Sequence, residues 1–161
     1  MVELLLLQKF VIALALGTLI GLEREYARYK DRGHSFAGIR TFPLIALFGA
    51  LSTYLAVTLT PYILLIGMAL MGVLVIVAYV VVSRESPRHY GATSEVAAFL
   101  TFFIGVLAYN EEYSFATILA IFITIILFAR SVLHNFAEKI TKKEMTDTLT
   151  FAVIAFLILP F

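Results

Sequence analysis

The sequence predicts an all-α fold: a polytopic transmembrane helical bundle with five spans, a short or partial sixth, and its N-terminus outside. Three observations predict it. The 161 residues are 61% hydrophobic and only 14% charged, where a soluble domain is nearer half apolar and a quarter charged. The apolar residues come in blocks near the length of a membrane span, about 20 residues. The charges collect between the blocks, where a chain leaves the bilayer and a charge is cheap to hold. Glu23, Arg24, Glu25, Arg28, Lys30, Asp31, Arg32 and Arg40 all fall between the first two apolar runs.

The first run, Leu4 to Leu22, has Glu3 ahead of it and Glu-Arg-Glu behind it, with no basic leader and no small-residue cleavage motif. It reads as a retained span. The second span is expected from about Thr41 to Leu59. Pro61 opens the third, where its missing N–H costs nothing, and that span runs to about Val82. The fourth covers Ser94 to Tyr109, with Thr93 or Ser94 as its cap. The fifth covers Phe115 to Leu133, and the helix then continues along the membrane surface. Ala129, Leu133, Phe136 and Ile140 recur there at helical spacing. Thr141-Lys142-Lys143-Glu144 reads as a capping box, with Ile140 and Met145 as its staple. A new helix therefore begins near Lys142 and enters the membrane with only about 12 to 14 apolar residues, short of a full span. This divides the chain into a transmembrane domain, 1–140, and a capped helix, 141–161, that starts a second domain.

Lys and Arg set the orientation. They follow span 1, separate spans 3 and 4 (Arg84, Arg88) and follow span 5 (Arg130, Lys139, Lys142, Lys143). The loops around Thr60 and around Glu111-Glu112 have none. The positive-inside rule puts the basic loops in the cytoplasm. Tyr62, Tyr109 and Tyr113 mark the outer interface; Tyr26, Tyr29 and Tyr90 mark the inner one. With no Cys, thiolate chemistry and Cys-ligated metals are excluded. No nucleotide-binding glycine pattern, HExxH or nucleophile elbow occurs, so no enzyme is expected, and nothing points to nucleic acid.

Small residues mark helix contacts in lipid. Gly17 and Gly21 form a GxxxG pair, and Ala97, Thr101 and Gly105 form a stripe. Each set serves packing inside one bundle or a homodimer seam. Glu23, Glu25 and Arg40 flank the first inner loop. Carboxylates at a helix C-terminus oppose the dipole, and Arg24, Arg28 and Arg40 are their natural partners. This group is either an interfacial ion-pair network or a site for a hard cation such as Mg2+, which favours carboxylate oxygens. The basic cluster could also hold anionic lipid headgroups. Glu95 suits a first helical turn, or else faces the bundle interior toward Arg40, Arg130 or an ion. His134, one turn beyond Arg130, shares that inner vestibule or is an ordinary interfacial residue. Only Arg40 has acids positioned to pair with it, so Arg40→Ala should destabilise more than Arg84→Ala.

GTLIGLEREY (Gly17 to Tyr26) followed by Ala37-Gly38-Ile39-Arg40-Thr41 resembles the MgtC/SapB family of small membrane proteins. The strings GATSEVAAFLTFFIGVLAY and EKITKKEMTDTLTFAVIAFLILP look more like longer relatives with a second membrane domain. The resemblance implies a multi-pass protein of a prokaryotic plasma (inner) membrane, concerned with ion homeostasis. It implies Mg2+-linked transport or its control, with no cofactor except Mg2+ itself as a candidate. The alternative is a non-conducting regulatory or assembly subunit of a larger complex. The bilayer, a second copy of the chain and a membrane subunit supplying the further domain are the expected partners.

Overall fold

Seven helices make up the described part of the chain, with no strand among the described residues. The structure is a computed structural model and describes residues 2–31, 37–85 and 92–155. Arg32, Arg88, Tyr90, the side chains of Asp31 and His134, and the tail from residue 156 lie outside that description.

Helix α1 (Val2–Asp31) has 30 residues, about 45 Å at the usual helical rise. The hydrocarbon layer is about 30 Å thick. A helix entering it near Leu4 leaves it close to Arg24, so the residues after Arg24 project beyond. Helices α2 (Thr41–Thr58) and α3 (Tyr62–Glu85) follow, joined by a short turn at Pro61. The membrane-long apolar stretches are Glu3–Lys30, Thr41–Thr58 and Tyr62–Arg84. Helices α4 (Thr93–Tyr109) and α5 (Tyr113–Phe128) are apolar but shorter, at 17 and 16 residues.

The chain divides into two compact units at Phe128. In the first, α2 and α4 share the most extensive interface; α1 packs on α2, α4 and α5, while α3 packs on α2 and α4. The core combines large side chains, Ile20, Phe42, Met71, Phe102 and Ile104, with many small ones. Small residues fill the seams: Ala13, Ala46, Ala50, Ala97, Ala98, Ala108, Ala116 and Ala120 are buried. Large ones face outward, including Leu65, Ile66, Leu70 and Ile76 on α3, and Phe115, Phe122 and Ile126 on α5. Lipid tails are as apolar as these side chains, so association depends on close backbone approach rather than on burying leucines.

The glycines show where that approach is closest. A Cβ on Gly17 would lie 2.8 Å from the Phe42 carbonyl oxygen, and one on Gly21 would lie 2.9 Å from Ile39 Cα. The GxxxG pair therefore joins α1 to the start of α2 within one chain. At the crossing of α2 and α4, a Cβ on Gly49 would overlap the Phe102 carbonyl, and one on Gly105 the Ala46 carbonyl. Thr101, in the same α4 stripe, is fully buried and donates to the Ala97 carbonyl at 2.7 Å. Its hydroxyl is thus satisfied inside its own helix.

Two expectations need correction. The fifth span does not run on to Leu133: α5 stops at Phe128, and α6 (Arg130–Lys139) starts after a break at Ala129. Neither Gly nor Pro stands there to announce the break. Nor does Thr93 or Ser94 cap α4; Ala92 takes the N-cap position without a side-chain bond. The Ser94 hydroxyl is occupied by a group from α1 instead, described below.

In the second unit, α7 (Lys142–Val153) begins with the expected capping box. Glu144 N–H donates to Thr141 Oγ1 at 3.3 Å, and Thr141 N–H donates to Glu144 Oε2 at 2.8 Å. Val132, Leu133 and Phe136 of α6, and Met145, Leu149 and Phe151 of α7, are exposed.

Candidate functional site

The α1 sequence places Glu23 and Arg24 one turn past the GxxxG contact with α2. Close packing there carries both side chains inward: Glu23 is 8% exposed and Arg24 4%. The two form a bidentate pair, with Arg24 Nε donating to Glu23 Oε2 at 2.5 Å and Nη2 to Oε1 at 2.8 Å. The fork of a guanidinium matches both oxygens of a carboxylate. Arg24 reaches further. Its Nη1 donates to Ser94 Oγ and its Nη2 to the Leu127 carbonyl, each at 3.3 Å. One side chain thus ties α1 to the first turn of α4 and the last turn of α5. A cation beside the terminal carbonyls of α5 also matches the negative end of that helix dipole.

Glu95 follows Ser94 on α4 and is 4% exposed. Its Oε2 is buried and has no hydrogen-bond partner. Among the described residues, no Lys, Arg or His nitrogen forms an ion pair with it. The α4 dipole favours an acid in this turn but provides no donor to that oxygen.

Glu25 belongs to a neighbouring, wetter arrangement. Its Oε1 lies 3.9 Å from Arg28 Nη1, and its Oε2 accepts from the Ile39 N–H at 3.4 Å. A Cβ on Gly38 would collide with that same carboxylate oxygen. Glu25 therefore sits over the turn that starts α2, an anion against a helix N-terminus. The residue after Ile39, Arg40, is exposed and makes no ion pair among the described residues. Its expected pairing with Glu23, Glu25 or Glu95 is absent from the described contacts, because its position in the turn preceding α2 points it outward. Arg130 and His134 lie in the second unit. Among the described residues, no three His, Cys, Asp or Glu side chains assemble as a metal-ligand group.

The opposite end of the bundle holds a second ionic feature, which the sequence reading missed. Lys9 Nζ lies 2.8 Å from Glu111 Oε1 and 4.7 Å from the centroid of the Tyr109 ring. Phe10, Tyr54 and Tyr109 pack around it with ring centroids 6.1 to 6.3 Å apart. Glu111 has φ of 67°, in the left-handed region. Its N–H donates to Ala108 O and the Glu112 N–H to Leu107 O, the pattern of a Schellman helix end that usually takes Gly. A single Lys in an apolar run was the available signal, but its partner lies about a hundred residues away.

The model of the MgtC family matches residues 10–136. No curated protein and no solved structure matches the chain.

Proposed function

This chain belongs to the MgtC family, and on that premise we propose that it is an integral membrane protein of ion homeostasis, linked to Mg2+, that acts by controlling ion handling. The observation that carries the choice of control is the engagement of the acids. Both oxygens of Glu23 are taken by Arg24, and Glu25 is taken by the α2 turn and Arg28. Mg2+ favours carboxylate oxygens and gives up its water reluctantly. To use these acids it would have to displace a guanidinium. A second reading, transport proper, is favoured by the one oxygen left over, Oε2 of Glu95.

In the proposed topology α1 to α5 cross a prokaryotic plasma membrane, α7 begins a short sixth passage, and the N-terminus is outside. Arg28, Lys30, Arg40 and Arg84 would then face the cytoplasm, and Glu111 and Glu112 the exterior, in line with the positive-inside rule. A non-enzymatic role beside a second copy or a further membrane subunit completes the proposal. The test is Mg2+ entry into proteoliposomes holding the folded chain, read with an entrapped indicator. Entry no faster than in empty vesicles supports control. Entry that requires Glu95 supports transport instead.

A further inference from the structure

Among the described residues, the buried cluster at the end of α1 is one positive charge short. Glu23 and Glu95 are carboxylates, Arg24 is the single cation, and all three are more than nine-tenths buried. Arg24 is committed to Glu23, Ser94 and Leu127. Glu95 keeps a buried oxygen with no donor. Among the described residues, the other charged groups at this end of the helices around α4 do not make up the deficit. Glu25 on α1 pairs with Arg28. Arg40 before α2 and Arg84 on α3 are exposed, and α5 carries no charged residue. A charge left uncompensated in a low-dielectric interior is costly unless a partner neutralises it.

We propose that Glu95, beside the Glu23–Arg24 pair, is a binding site for one unit of positive charge, supplied by an alkali-metal ion. A single charge balances the cluster. A divalent ion would leave it positive by the same amount that it now falls short, beside a guanidinium that repels it. The site therefore discriminates by charge, against Mg2+. It occupies the same cluster as the proposed function without depending on it: vesicles that admit no Mg2+ leave this inference standing, and a failure here leaves the Mg2+ link untouched.

The test is the thermal midpoint of the full chain in detergent at constant ionic strength. Na+ or K+ is exchanged for N-methylglucamine, and MgCl2 is added in a separate arm. Wild type is expected to gain several degrees over Glu95→Gln with alkali ion. Glu23→Gln supplies the missing balance another way, so it too should lose the response, and it serves if Glu95→Gln does not fold. The proposal is overturned if wild type and Glu95→Gln respond alike in every arm, as when a buried water satisfies Oε2. Protection by Mg2+ alone, or a full response retained by Glu23→Gln, also overturns it.

Discussion

Arg24 holds three helices with one side chain, so its loss should be felt more than that of any exposed arginine. Arg24→Ala leaves Glu23 buried without its partner, and breaking a buried pair this way costs roughly 3–5 kcal/mol. Arg24→Lys should recover only part of this, because an ammonium lacks the planar fork. Arg40→Ala and Arg84→Ala remove exposed charges and should each stay within about 0.5 kcal/mol of wild type. Denaturation in detergent orders the four; an Arg40→Ala loss as large as that of Arg24→Ala would refute the site as described. At the other end, Glu111 sits in the left-handed region, which costs a non-glycine residue about 1 kcal/mol. Glu111→Gly relieves the backbone while losing the Lys9 pair, whereas Glu111→Ala only loses. The midpoint of Glu111→Ala should therefore fall below that of Glu111→Gly. The sequence identified Arg24 as a natural partner for Glu23. It could not show that this arginine turns inward while Arg40 turns outward, since that depends on how α1 lies against α2.

Between elements, the glycine contacts decide how tightly the helices cross. Gly49→Ala and Gly105→Ala force a methyl group into a facing carbonyl and should cost roughly 1–3 kcal/mol each through overpacking. Gly72 has nothing within 4 Å of a Cβ position, so Gly72→Ala should stabilise α3 by about 0.5–1 kcal/mol through backbone entropy alone. The same denaturation measurement separates the two outcomes. At the start of α7, the Thr141 backbone N–H and then its hydroxyl hold the Glu144 carboxyl below its ordinary value near 4.5. A lowered carboxylate stabilises fully above the unfolded value and is lost as pH falls through the folded one. Amide protection in the first turn of α7 should therefore hold from neutral pH down to about 5 and decline in stronger acid. Glu144→Gln keeps the box and should abolish that decline. The box was legible because it is local: four residues specify it. The stop of α5 at Phe128 was not legible, because the apolar pattern runs through Ala129 without a breaker. Gly49 went unnoticed for a related reason, since a lone glycine in an apolar helix has meaning only opposite Phe102.

For the whole molecule, the all-α class followed from apolar block length and charge segregation, and the helices match it. Small residues at the closest helix contacts, with large apolar residues exposed on the outer faces, suit a lipid solvent. The residues that carried the family resemblance turn out to be the joint between α1 and α2. Gly17 and Gly21 set the approach, Glu25 sits against Gly38, and Glu23 with Arg24 fastens α4 and α5. What the sequence withheld was pairing across distance: Arg24 with Ser94 and Leu127, and Lys9 with Glu111. The account as a whole requires one partition, with the Glu23–Arg24–Glu95 cluster at the cytoplasmic end and the Lys9–Glu111 pair at the outer end. Because the chain has no cysteine, single cysteines at Lys30, Arg84 and Glu112 can be labelled in intact cells with a membrane-impermeant maleimide. The account predicts labelling at position 112 only, with 30 and 84 reacting after the membrane is opened; Lys30 and Arg84 reacting from opposite sides would contradict it.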